Sequence, residues 1–255
     1  MKVLGSAIAI FLLAASLAQV KAAAPAAPAA PPAAAAPAPA AAPAPVKPPA
    51  ANWIEGTNYF RIAAPRPTSL PPGKVEVTEV FSYACPACNL FVPTMHQLQQ
   101  SLPANAVVDY LPASFNPTED WPMFQLAYCT AQALGIADKW HDAMFDAVWN
   151  TGELAVIDPA TNRPKGRLPT IEDAARFYEK HAGVPAAKFL SKTEGAASFG
   201  VDSKVRTDEA LLAAYGVDRT PTIVVNGKYR ITVDSAGGPD KLVDLVKWLV
   251  AKESK

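Results

Sequence analysis

Strand-like sequence occurs in two parts of this chain, and the stretch between them patterns as helix; few folds accommodate that order. Residues 75–82 (VEVTEVFS) alternate and are rich in β-branched side chains, as a strand requires. The spacing of Leu90, Phe91, Met95 and Leu98 predicts a helix over 86–101, kinked by Pro93. Residues 107–111 (VVDYL) are a second predicted strand. Strand, helix, strand is a βαβ unit, which implies parallel strands and a right-handed crossover. Further on, residues 222–225, Asn226-Gly227 and residues 229–233 read as a two-residue hairpin, because both turn positions tolerate positive φ. An amphipathic helix over 239–252 follows, with Leu242, Leu245, Val246, Leu249 and Val250 on one stripe.

Between these parts, helices are expected over 121–134 and 138–149. Thr170 opens a third and forms, with Asp173, a near capping box. Weaker helical patterns cover 186–198 and 204–215. Each β-containing part is too small to stand alone. They are expected to complete one sheet, split along the chain as residues 52–116 and 216–255, with residues 117–215 as a helical insertion.

The start of the chain reads as an export signal over 1–22. Lys2 precedes an apolar run, and small residues offer cleavage after Ala18 or from Ala22 to Ala24. The rival is an uncleaved membrane anchor, which Gly5, Ser6, Ser16 and Gln19 weaken. No cysteine lies there to carry a lipid. Residues 23–51 are almost wholly alanine and proline, so a helix is excluded and an extended, disordered linker is expected. This tract inflates the hydrophobic content of 50%, since its alanines cannot build a core. With 23 basic and 23 acidic residues and no basic stripe, the chain offers no nucleic-acid surface.

Three cysteines are present, Cys85, Cys88 and Cys129. A Cys-x-x-Cys pair serves redox chemistry or metal binding. A structural zinc site needs four ligands, and His96, His141 and His181 fall on separate predicted helices, so no metal is expected. The redox reading has a physical cause. Cys85 sits where a strand ends and a helix begins, so unpaired helix amides point at its sulfur and favour the thiolate. Pro86 suits the first helical position, where its missing donor costs nothing. Cys88 lies one turn on, facing inward. Cys129, beside Leu126 and Tyr128, is read as core packing. Trp121, Trp140 and Trp149 are read as core of the insertion, and His96 as a surface or packing residue. Arg219-Thr220-Pro221-Thr222 precedes the returning strand, a place where a proline marks a turn, with a cis bond as one option.

Together these residues resemble the DsbA group of bacterial disulfide oxidoreductases in the thioredoxin superfamily. The matching runs are residues 79–88 (EVFSYACPAC), Ala133-Leu134-Gly135-Ile136, and residues 216–229 through Thr220-Pro221-Thr222 to Val225-Asn226-Gly227-Lys228-Tyr229. The resemblance spans residues 52–252 and implies an α/β chain: a thioredoxin fold with an inserted all-helical domain. It implies that Cys85 is the exposed sulfur that accepts the attacking thiolate and Cys88 its buried partner. Pro221 would be cis, and Thr220 would offer backbone hydrogen bonds to an extended substrate. Glu79 would be a buried acid that tunes Cys88.

Two departures carry consequences. Ala87 stands where well-known members have histidine, so a less oxidising disulfide is expected. Thr220 replaces a common valine, and threonine there occurs in isomerase-type relatives. The basic residue that often neighbours the buried acid has no match around Tyr110.

The resemblance implies oxidation of paired thiols in proteins newly exported to the periplasm, with no organic cofactor. Its partners would be unfolded or folding exported proteins and a DsbB-like membrane quinone reductase that reoxidises the pair. A monomer is expected, since residues 23–51 lack the buriable pattern of a dimerisation domain. The rival readings are an isomerase or reductase of the same fold, and a chaperone-like module whose cysteine pair is a static staple.

Overall fold

The computed structural model describes residues 52–66, 68–194 and 198–254. The expected export signal and alanine–proline linker lie outside the described residues. Among the described residues, no helix is long and apolar enough to cross a membrane.

The strands are β1 (Phe60–Arg61), β2 (Val75–Phe81), β3 (Ala106–Pro112), β4 (Ile157–Asp158), β5 (Arg163–Pro164), β6 (Thr222–Val225) and β7 (Tyr229–Thr232). The helices are α1 (Pro86–Ser101), α2 (Trp121–Ala133), α3 (Ala137–Trp149), α4 (Ile171–Ala182), α5 (Ala186–Leu190), α6 (Phe199–Tyr215), α7 (Val233–Ala236) and α8 (Pro239–Glu253). Five strands form one sheet in the order β1-β7-β6-β2-β3. β2 pairs parallel with β3 through α1, and antiparallel with β6, so the two distant β regions do complete one sheet. Among the described residues between β3 and β6, the regular elements are the helices α2 to α6, a 3-10 turn at Pro117–Glu119 and the short β4–β5 ladder.

β2 is an interior strand and is buried on both faces, with only Glu76 partly exposed. Val75 and Val77 join a core with Phe91, Met95 and Leu98 of α1 and Leu245, Val246 and Leu249 of α8. A second core runs from Phe81 and Tyr83 into the insertion through Phe124, Tyr128, Phe145 and Tyr178, and it includes Cys85 and Cys88. Each buried side chain of this size contributes about 1.5–3 kcal/mol relative to exposure. Thr170 and Asp173 make the reciprocal capping box that starts α4, a cap of about 1 kcal/mol.

The structure corrects several expectations. Leu90 does not belong to the buried stripe of α1: it is 78% exposed, while Cys88, Phe91, Met95 and Leu98 turn inward. α5 ends at Leu190, short of the expected 198. The Ser191 and Thr193 hydroxyls bond the Lys188 and Leu190 carbonyls, offering the backbone an alternative to the helix. α6 starts at Phe199, five residues before the expected 204. The hairpin does use positive φ at Asn226 and Gly227, but Val225 pairs with Tyr229, leaving Lys228 as an extra residue. Gly227 is required there because a Cβ would stand 2.2 Å from the Arg66 carbonyl oxygen. Val233, expected in the strand, opens α7 because Thr232 and Ser235 cap each other reciprocally.

Candidate active site

β2 ends at Phe81 and α1 begins at Pro86, so residues 82–85 form the loop that presents Cys85. The loop is tied down locally. Cys85 N–H donates to the Ser82 carbonyl at 3.1 Å, and Ala84 N–H to Ser82 Oγ at 3.3 Å. Cys85 occupies the N-cap with extended backbone (φ −82°, ψ 116°), and its Sγ accepts the Cys88 amide at 3.4 Å. Pro86 takes the first helical position, as its missing donor favours.

The loop before β6 closes over this sulfur. The Thr220–Pro221 bond is cis. The Cys85 thiol donates to the Thr220 carbonyl oxygen at 3.7 Å. This cover corrects the expectation of an exposed Cys85: it keeps 4% of its surface open, and Cys88 none. Pro86 and Ala87 are exposed beside it, next to Leu90.

The two sulfurs are polarised in opposite directions. Cys85 is lowered to about 6, first by hydrogen bonding from the Cys88 thiol, against the cost of burial. The Thr220 hydroxyl and then the amides of Cys88 and Ala87 lower it further. Sequence reasoning placed the helix amides first; the neighbouring thiol outranks them. Cys88 is pushed well above its usual range by burial, then by Cys85 and Glu79. Glu79 is 2% exposed, between Tyr110 on β3 and Ile223 on β6. Burial, then Cys85 and Asp142, raise its carboxyl well above the usual range.

The structure thus brings together Cys85, Cys88, Pro86, Ala87, Glu79, Thr220 and Pro221. Cys129 lies in the insertion, buried, with its S–H donating to Asp208 Oδ2 at 3.4 Å; Lys204 holds that carboxylate. His96 is a surface residue bonded to Asp142 at 2.8 Å. Sequence reasoning missed three neighbours of the site. Tyr83 is fully buried in the Cys85 loop, and its hydroxyl lies 3.0 Å from His141 Nδ1. Its carbonyl accepts Trp149 Nε1–H at 2.8 Å. These contacts join residues 58 and 66 positions apart, which no local pattern signals.

No family model matches the chain. Among individual proteins, it is 34% identical to the thiol:disulfide interchange protein DsbA of Pseudomonas aeruginosa over 204 residues, 80% of this chain and 87% of that one. Identity to the protein of the same description from Azotobacter vinelandii is 34%, over 73% and 80% of the two chains. The crystal structure of Pseudomonas aeruginosa DsbA matches with a TM-score of 0.65 at 33% identity, over 79% of this chain and 94% of that one. The structure of the oxidoreductase DsbA from Xylella fastidiosa matches with a TM-score of 0.65 at 28% identity, over 78% and 96%.

Proposed function

Because the chain belongs to the DsbA family of thiol:disulfide interchange proteins, and is a thiol–disulfide oxidoreductase with the thioredoxin fold and a helical insertion, we propose that its exchange runs through Cys85 and Cys88. A substrate thiolate attacks the Cys85 sulfur of the oxidised pair. The disulfide breaks, its electrons pass to Cys88 Sγ, and Cys88 takes up a proton, as its raised pKa favours. The second substrate thiolate attacks the substrate sulfur of the mixed disulfide. Cys85 leaves as a thiolate, and the substrate departs with one disulfide while the protein holds two electrons.

The observation that carries this reading is the opposite polarisation of the two sulfurs. A thiol lowered to about 6 is mostly ionised at neutral pH, so the reduced protein is stabilised and the disulfide oxidises. That value lies in the upper part of the ~3.5–7.5 range of activated cysteines, which supports a milder oxidant with Ala87 in place of histidine. Thr220 and cis-Pro221 present backbone beside Cys85, where an extended substrate chain aligns. Exposed Pro86, Ala87 and Leu90 provide apolar contact for unfolded chains. Glu79 tunes Cys88 from below.

The setting is the periplasm, the substrates are exported proteins with paired thiols, and a DsbB-like membrane quinone reductase takes the electrons. The protein acts as a monomer, built from residues 52–116 and 216–255 with the insertion 117–215. The test is to mix oxidised protein with a reduced peptide containing two cysteines. Rapid peptide oxidation with matching loss of the protein disulfide is expected, and Cys85→Ser abolishes it. A pair that does not equilibrate with glutathione would overturn the reading in favour of a static staple.

A further inference from the structure

Tyr83 stands two positions before Cys85, and helix α3 of the insertion holds its hydroxyl and its carbonyl. The hydroxyl meets His141 Nδ1 at 3.0 Å, and the carbonyl oxygen accepts Trp149 Nε1–H at 2.8 Å. Burial lowers His141 to about 3, so its ring is neutral at pH 7. Burial also keeps Tyr83 a phenol. The phenol and the neutral imidazole therefore share one hydrogen bond, whose direction is set by which ring nitrogen carries the proton. The rings support the same geometry: Tyr83 also packs on Phe145 of α3, with centroids 5.0 Å apart.

We propose that α3 sets the oxidising power of the Cys85–Cys88 pair through this two-point clamp on Tyr83, with His141 and Trp149 as positioning residues. The proposal rests on the reading of that pair as the exchanging disulfide. Its sign follows from what the loop does. The three cysteines are thiols in this structure, and the clamped loop delivers Cys85 Sγ to the Cys88 amide at 3.4 Å. A thiolate gains much from such a donor, whereas a neutral disulfide sulfur gains little. Loosening the loop therefore costs the reduced form more than the oxidised form. The clamp makes the pair more oxidising.

Trp149→Phe removes the N–H and keeps a ring at a half-buried position. Tyr83→Phe removes the hydroxyl and keeps the buried ring. For each variant, the glutathione equilibrium is measured together with the thiolate pKa of Cys85. A net hydrogen bond of ordinary strength corresponds to about a fivefold shift of the equilibrium constant toward the disulfide, and the Cys85 pKa should rise with it. Either variant gives the reading if the other fails to fold. Equal loss of stability in the oxidised and reduced forms, with an unchanged equilibrium constant, would overturn the clamp and leave the exchange reading standing. A wild-type protein that did not exchange with glutathione would overturn both.

Discussion

Glu79 and Tyr110 stand opposite one another in the parallel pairing of β2 with β3, so the buried acid has a phenol across the ladder. Burial, then Cys85 and Asp142, raise the Glu79 carboxyl above its ordinary value of 4.5. A carboxyl raised on folding holds its proton more tightly in the native state. Its contribution is fully present below 4.5 and is lost as pH rises through the folded value. Glu79→Gln is therefore expected to raise the urea midpoint at pH 7, on the order of 1 kcal/mol for each pKa unit relieved. The same substitution should do little at pH 4. A loss of stability at pH 7 would count against a costly buried carboxyl.

His141 gives the opposite slope. Its folded value of about 3 lies below the ordinary 6.5, because burial disfavours the charged ring. The unfolded chain binds the proton first on acidification, so stability is full above 6.5 and falls as pH drops toward 3. The loss is on the order of a few kcal/mol. His141→Phe should flatten this limb of a denaturation series. It also strands the Tyr83 hydroxyl, at a cost of about 1–3 kcal/mol at pH 7. An unchanged acid limb would refute the assignment.

Thr220→Val tests the hydroxyl beside the sulfurs. Thr220 Oγ1 is buried with no hydrogen-bond partner among the described residues, and the Thr220 side chain lowers both Cys85 and Cys88. Valine keeps the shape and removes the donor. The Cys85 thiolate pKa should rise, and the pair should become a weaker oxidant by about threefold or more in its glutathione equilibrium constant. No change in either would show that the hydroxyl does not reach the thiolate.

Cys129 should stay outside the exchange. Burial and then Asp208 push its thiol up, and it is 1% exposed. Alkylation of the native reduced protein followed by mass analysis should modify Cys85 and spare Cys129 and Cys88 until denaturant is added. Labelling of Cys129 at the Cys85 rate would contradict this. Cys129→Ala is expected to cost about 1–2 kcal/mol, because Lys204 still holds Asp208.

The elements with strong periodicity were legible from the residues: the alternation of β2, the stripes of α1 and α8, and the cap at Thr170. So was the cysteine pair at a helix start, since strand end, proline and helix spacing are all local. β1 was not, because Phe60 and Arg61 become a strand only by pairing with β7. Nor was α7, whose cap outweighs the strand preference of Val233. The order of influences on Cys85 was also hidden, because the Cys88 thiol and the Thr220 hydroxyl reach it only after folding. The contacts of Tyr83 with His141 and Trp149 depend on how α3 docks, and that docking is written in no single window of sequence.

All of the chemistry depends on a sulfur at the start of α1 that loses its proton far more readily than a free cysteine. Titrating the ultraviolet absorbance of the thiolate in the reduced protein, with Cys85→Ser as the blank, measures this directly. A transition near 6 assigned to Cys85 is expected. A transition at about 8.5 or above, the value of an unperturbed thiol, would contradict the account.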